Sequence, residues 1–412
     1  MSTLLSVDEA TERILADFMR LPAERALLIE SLGRVLAEDV RAETAIPPFA
    51  NSSMDGYAVR AADIGGENTL LRVVLDIPAG SPPATRALDV GEAARIMTGA
   101  PIPPGADAVV PMEKTSQGWN AGENAPLADT VVVKGSVSVG DSVRAAGEDI
   151  SAGEIALTAG TLIRPAEMGI LSALGVALVP VVRRPRVVIL STGDELADAG
   201  DALEPGKIRD VNSYTLVGLV TTYGGIPIRL PIARDTVEDV RRRFSEALDA
   251  EPDIVLSSAG VSVGTFDVVK LVLSELGDVG FWRVNLRPGK PLAYGHLKGV
   301  PFFGLPGNPV SAMVTFDVFV RPALLKLSGR PDALPTVNAV TGEPMQSDGR
   351  RSYVRVILKR EGDRLVATTT GTQSSGALMS MVRADGLMII PETVTEIPVG
   401  TLFPVRLLRS LE

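Results

Sequence analysis

Residues 253–267, reading Asp-Ile-Val-Leu-Ser-Ser-Ala-Gly-Val-Ser-Val-Gly-Thr-Phe-Asp, limit the possible folds more than any other stretch of the chain. Ile254 to Leu256 is an apolar run of the kind buried on both faces of a parallel sheet. It breaks into Ser257, Ser258, Gly260, Ser262 and Gly264, and an amphipathic run from Asp267 to Leu276 follows. A glycine- and serine-rich loop between strand and helix lets backbone N–H groups approach an anion. Asp267, at its end, would repel a bare phosphate but suits one bridged to it by a metal ion. The stretch therefore points to a magnesium-dependent site for a phosphorylated small molecule.

The flanking chain repeats the strand-then-helix alternation. Val187 to Leu190 reads as a buried strand, Asn212 to Tyr223 as a helix, Ile226 to Ile232 as a strand and Thr236 to Leu248 as a helix. Pro301 to Leu305 reads as a further strand, and Pro309 to Leu327 as a helix with Pro309 in its first turn. Such alternation predicts a doubly wound parallel sheet over residues 181–328. Before it, Ser6-x-x-Glu9 is a capping box that starts a helix, and a second helix is expected from Ala23 through Leu36. Tyr57 to about Val139 alternates short β-branched runs with Gly/Pro turns, so 46–139 reads as an inserted β domain, with 1–45 and 140–180 forming an elongated N-terminal part. Ser328 to Pro335 reads as a linker, and short strands within 329–412 predict a C-terminal β domain.

A chain of 412 residues exceeds one ordinary core, and about three or four domains are expected. Its net charge of −10 argues against nucleic acid. With no cysteine and one histidine, thiolate and histidine-rich zinc sites are excluded. His296, in the turn-like Tyr294-Gly-His-Leu-Lys, reads as structural. No signal peptide or membrane-spanning run is read, so a cytoplasmic protein is expected.

Ligands of a parallel α/β sheet lie beyond the carboxyl ends of its strands. Four loops should meet there: Ser191 to Glu195, Ala233 to Asp235, Ser257 to Asp267, and Gly304 to Pro309. They carry Asp194, Glu195, Asp235 and Asp267, a set that a hard cation such as magnesium would neutralise. Helix capping is the competing role for Asp194, Asp235 and Asp267. Arg283, Arg287 and Lys290, around a Pro-Gly turn, suit an oxyanion clamp, with a solvated turn as the alternative. Neither a P-loop nor a G-x-G-x-x-G string is present.

Seven strings, in order along most of the chain, together resemble the molybdopterin molybdenumtransferase family, the MoeA proteins related to the C-terminal part of gephyrin. They are Asn51 to Tyr57, Thr98 to Asp107, Gly147-Glu-Asp149, Ser191 to Glu195, Gly260 to Gly264 with Asp267, Pro288 to Pro291, and Gly304 to Pro309. The resemblance implies a homodimer of four-domain subunits, with a cleft between the α/β domain of one subunit and the β domain around Asp55 and Thr98 of the other. It implies that adenylylated molybdopterin is hydrolysed in a Mg-dependent step, AMP leaves and molybdate is inserted into the dithiolene. By matching positions it implies Asp55, Asp149, Glu195, Asp235 and Asp267 as functional acids, with Glu195, Asp235 and Asp267 as magnesium ligands. Thr98, Ser191, Thr192, Gly260, Ser262, Gly264, Arg283, Arg287, Lys290, Pro306, Asn308 and Pro309 are implied on the substrate side, and Arg355 and Ser375 at molybdate. Contact with other molybdenum-cofactor biosynthesis proteins is also implied.

Arg287 stands where the family usually has lysine, which exchanges a point donor for a planar fork and leaves open molybdate or tungstate. Two other readings compete. A non-catalytic dimeric scaffold binding partner peptides, as in gephyrin, would need no acids on the rim. A nucleotide pyrophosphatase on the same α/β fold would explain Ser257 to Asp267 but not Asn51 to Tyr57 or Thr98 to Asp107.

Overall fold

The computed structural model describes residues 4–118, 126–258, 266–332 and 334–411, the side chains of Phe266 and Asp267 excepted. The chain forms two compact units. One holds residues 26–32 and 38–179, and the other holds 1–25, 33–37 and 180–412.

In the smaller unit, strands Ala108–Pro111, Gly56–Val59, Glu92–Ile96, Asn68–Ile77 and Thr130–Lys134 lie in that order in one sheet. All pairs are antiparallel except Asn68–Ile77 with Glu92–Ile96. A Cβ at Gly56 would lie 2.0 Å from the Val110 carbonyl oxygen, so only glycine permits this pairing next to Asp55. Pro165–Ala173 forms a helix with Pro165 in its first turn. The helix expected over Ala23 to Leu36 does not form: Ala23–Leu27 is a strand and Leu28–Glu30 a single 3₁₀ turn. The apolar positions there serve no continuous stripe, since Ile29 is 79% exposed, and Gly33 adopts φ +73°, which breaks a right-handed helix.

The larger unit carries a six-stranded sheet in the order Ile226–Arg229, Arg186–Ser191, Ile254–Ser258, Val300–Leu305, Pro291–Leu297, Gly277–Arg283. The first four strands are parallel, Pro291–Leu297 runs against them, and Gly277–Arg283 pairs antiparallel with Pro291–Leu297 at the edge. Alternate side chains feed two cores, as a doubly wound sheet requires. Val187, Ile189, Ile254, Leu256 and Phe303 pack with Leu216 of the Val211–Thr222 helix and with Val310 and Phe319. Val188, Leu190, Val255 and Phe302 pack with Phe244 of the Val237–Asp249 helix and Val272 of the Phe266–Leu276 helix. The expected doubly wound parallel sheet forms over the first four strands, and an antiparallel pair extends its edge. The two extra strands admit glycines at close approach: a Cβ at Gly277 or Gly295 would lie 1.9 or 2.0 Å from an opposing carbonyl oxygen. His296 therefore stands within a strand, not in a turn, and its Nε2 lies 3.6 Å from Asp17 Oδ2.

The Ser6 side chain caps Val7–Ala16 by accepting from Glu9 N–H at 3.1 Å. The helix expected over Pro309 to Leu327 contains a π turn at Phe316–Val320. Pro322 supplies no N–H and its ring would strike the Val318 carbonyl, which the wider turn relieves.

The C-terminal strands close into a barrel: Arg351–Glu361, Arg364–Thr369, Thr336–Thr341, Leu402–Leu407 and Gly386–Ile390, with the last returning to the first. Leu286–Arg287 adds to its side, pairing Leu286 with Arg351 and Arg287 with Ser352. That pairing carries Arg287 out of the α/β part and sets it beside the barrel.

Candidate functional site

At the carboxyl edge of the parallel strands, specific bonds join the turn after Ser191 to Ala233 and to the end of the Ile254–Ser258 strand, while residues 259–265 lie outside the described residues. Ala233 N–H donates to Ser191 O at 2.9 Å, and Gly193 N–H donates to Ala233 O at 3.1 Å. The Ser191 and Ser258 hydroxyls bond at 2.9 Å, joining the Arg186–Ser191 and Ile254–Ser258 strand ends. Asn212 donates from Nδ2 to the Gly307 carbonyl at 2.8 Å, which fastens the Gly304 to Pro309 loop.

On this edge Asp194 and Asp235 face each other reciprocally. Asp194 N–H donates to Asp235 Oδ2 and Asp235 N–H to Asp194 Oδ1, both at 3.3 Å. Glu195 is exposed, and its carboxylate lies over Gly193, where an added Cβ would be 2.5 Å from Oε2. The capping alternative fails for two of the three acids. Strand Leu196–Ala197, not a helix, follows Asp194, and Thr236 rather than Asp235 caps Val237–Asp249. Asp267 begins the Phe266–Leu276 helix by sequence, but its side chain, like Gly260, Ser262 and Gly264, lies outside the described residues. Among the described residues, no three His, Cys, Asp or Glu side chains are placed to hold a metal ion.

The edge nonetheless has unmet bonding capacity. Thr192 Oγ1, Asp210 Oδ2, Asn212 Oδ1, Asp235 Oδ1 and Ser257 Oγ are buried without a hydrogen-bond partner. Buried polar atoms left unsatisfied are rare and costly, and several together mark where a ligand or ion completes the bonding. Asp210 and Asn212 were not singled out from the sequence. Asp210 accepts from Ser213 N–H, an ordinary helix cap, and nothing in Asn212's sequence setting signals its reach to Gly307.

A second cluster is a cleft of about 610 Å³ whose lining includes Arg287, Ser311, Glu343, Arg350, Arg355 and Ser375. Arg355 is 2% exposed. It donates from Nε to Ser380 Oγ and from Nη2 to the Ser374 carbonyl, each at 3.1 Å, and among the described residues no carboxylate is its partner. Burial, and then the charge of Arg287, push its guanidinium down to about 10. Ser375 is held by its carbonyl, which accepts from Val310 N–H at 3.0 Å. Asp348 lies 3.7 Å from Arg287 and also bonds Arg350. Of the basic strip, Arg287 lines this cleft, while Arg283 and Lys290 are exposed and absent from its lining. Pro306 is buried, Pro309 opens its helix, and Asn308 precedes it without a side-chain capping bond. Glu343 and Arg350 were also missed from sequence, because register and barrel closure, not spacing, bring them here.

In the smaller unit, Asp55 Oδ1 accepts from both the N–H and the hydroxyl of Thr98, each at 2.7 Å. Asp149 is exposed, and its backbone N–H donates to the Ile46 carbonyl at 3.0 Å.

Three family descriptions match in succession: the MoeA N-terminal region (domain I and II) over residues 5–175, a probable molybdopterin binding domain over 188–326, and the MoeA C-terminal region (domain IV) over 338–408. Molybdopterin molybdenumtransferase 2 of Mycobacterium tuberculosis is 38% identical over 95% of this chain and 96% of its own. Molybdopterin molybdenumtransferase of Bacillus subtilis is 33% identical over 99% of this chain and 95% of its own. The solved molybdopterin biosynthesis MoeA protein of Pyrococcus horikoshii superposes with TM-score 0.81 at 33% identity, covering 99% of this chain and all of that one.

Proposed function

Because the chain belongs to the molybdopterin molybdenumtransferase (MoeA) family, we propose that it inserts molybdate into adenylylated molybdopterin, with AMP released in a magnesium-dependent step. The full-length family match carries this reading, and the complementary chemistry of the rim and the cleft supports it. The rim presents carboxylates and unsatisfied oxygens, a donor set suited to a hard divalent cation. Glu195, Asp235 and Asp267 would hold magnesium, which when bound neutralises negative charge on a phosphoanhydride.

The chain's own groups do the remaining work. A rim carboxylate orients a water whose oxygen bonds to the attacked phosphorus as its proton passes to that carboxylate, while the bridging P–O bond breaks and AMP parts from the molybdopterin phosphate. Ser191, Thr192 and the Gly304 to Pro309 loop position the nucleotide-bearing end. Arg287, Arg355 and Ser375 hold molybdate, a tetrahedral dianion suited to guanidinium and hydroxyl donors. By family correspondence we also assign functional roles to Asp55, Thr98 and Asp149, and to Arg283 and Lys290.

The proposal extends to a cytoplasmic homodimer in contact with other molybdenum-cofactor biosynthesis proteins. Among the described residues no helix is long and apolar enough to cross a membrane. Incubation with adenylylated molybdopterin, magnesium and molybdate should yield AMP and metallated cofactor. Intact substrate after incubation would refute the assignment.

A further inference from the structure

We propose that Glu343 determines specificity in the Arg355 cleft by accepting hydrogen bonds from the amino-pyrimidinone edge of the pterin. The proposal deepens, and rests on, the molybdopterin reading above. A cleft of about 610 Å³ has the size of a small-molecule site, which leaves room for more than one tetrahedral oxyanion. Its lining carries three arginines, Arg287, Arg350 and Arg355, and one carboxylate, Glu343. In a site for an oxyanion alone, that carboxylate would only repel the ligand.

Glu343 is nevertheless built in as an anion. Its Oε1 accepts from Thr369 N–H at 2.6 Å. The Thr369 hydroxyl and this backbone bond hold its carboxyl below the usual range. Among the described residues it forms no ion pair with an arginine or lysine, so no cation in the cleft consumes its charge. Thr369 stands opposite Val356, the neighbour of Arg355, so the same strand pair fixes both the carboxylate and the buried guanidinium.

A ligand matching this lining must offer negative charge to the arginines and N–H donors to the carboxylate. Molybdopterin has both: anionic sulfur and phosphate groups, and a pterin whose 2-amino group and adjacent ring N–H form a planar donor pair. A carboxylate takes such a pair bidentately, as it takes guanidinium. A purely structural Glu343 would do no more than tie the Thr369 N–H. Glu343→Gln separates the two roles, because the amide can still accept from Thr369 while losing the charge.

The test measures binding of adenylylated molybdopterin, in EDTA to prevent turnover, and of molybdate separately, to the full-length protein and to the Glu343→Gln and Glu343→Asp variants. Glu343→Gln should weaken pterin binding by about tenfold or more. Molybdate affinity should stay unchanged or rise, and Glu343→Asp should recover part of the pterin affinity. As a second readout, wild-type protein should prefer pterin-6-carboxylate over lumazine-6-carboxylate, which lacks the 2-amino group, and Glu343→Gln should lose that preference. Unchanged pterin affinity in Glu343→Gln, or equal losses for pterin and molybdate, would overturn the assignment while leaving the transferase reading standing. A wild-type protein that binds no adenylylated molybdopterin would overturn both.

Discussion

The strand-end rim and the Arg355 cleft have opposite electrostatic needs. The rim sets Asp194 against Asp235 and leaves Thr192 Oγ1, Asn212 Oδ1, Asp235 Oδ1 and Ser257 Oγ buried without a hydrogen-bond partner, whereas Asp210 Oδ2 lies 3.8 Å from Arg229, so the carboxylate pair is where a cation or a hydrogen-bond donor would fit. The cleft buries Arg355 among neutral oxygens and beside Arg287, so what it lacks is an anion. One unit thus carries two sites with separate demands, which a two-part chemistry of anhydride cleavage and oxyanion delivery would use.

The largest expected effect breaks the rim alone. Asp235→Asn should lower AMP release by about 100-fold or more while melting temperature and molybdate binding hold, because a charged oxygen goes and the strand cores are untouched. A variant releasing AMP at the wild-type rate would remove Asp235 from the chemistry. Arg355→Ala should next weaken molybdate binding by about 10- to 100-fold, as loss of charge-assisted bonds predicts, and affect AMP release far less. Comparable losses in both assays would erase the distinction between the sites. The pH dependence sharpens it. Arg355 is pushed down to about 10, so its positive charge is intact at neutral pH and is lost as pH rises through that value. Molybdate affinity should therefore be flat to about pH 9 and fall above about 10, a decline that dialysis across that range would reveal and that Arg355→Ala should abolish. The smallest effect belongs to Asn212→Ala, which frees Gly307 from a neutral hydrogen bond and should raise the substrate KM by a few-fold, measured by steady-state AMP release.

The two regions also differ in how much of them the sequence disclosed. The rim was readable because a parallel strand carries its own signature: Ile254 to Leu256 is apolar throughout since both faces are covered, and the turn after each such strand must lie at one edge. Even there, the capping role weighed for Asp235 fell to Thr236 one residue later, a distinction that depends on which side chain reaches Asp239 N–H. The cleft was readable only in part. Arg287 was read from its Pro-Gly turn and Arg355 and Ser375 came from family correspondence, whereas Glu343 and Arg350 arrive through the pairing of Arg287 with Ser352 and the closure of the barrel. Long-range register of that kind leaves no local periodicity. The same cause hid the antiparallel Gly277–Arg283 and Pro291–Leu297 strands, whose glycines resemble turn signals but serve close backbone approach. The expected Ala23 to Leu36 helix failed for a related reason: Leu28 N–H is taken by the distant Ala177 carbonyl at 3.0 Å, a tertiary partner that apolar spacing cannot show.

The most direct measurement is a paired titration of magnesium and of molybdate into wild-type protein, Asp235→Asn and Arg355→Ala by equilibrium dialysis. Two separate sites predict a crossed result, with magnesium affinity falling only in Asp235→Asn and molybdate affinity falling only in Arg355→Ala. Loss of both ligands in either variant, or of neither in both, would contradict the division of labour between rim and cleft.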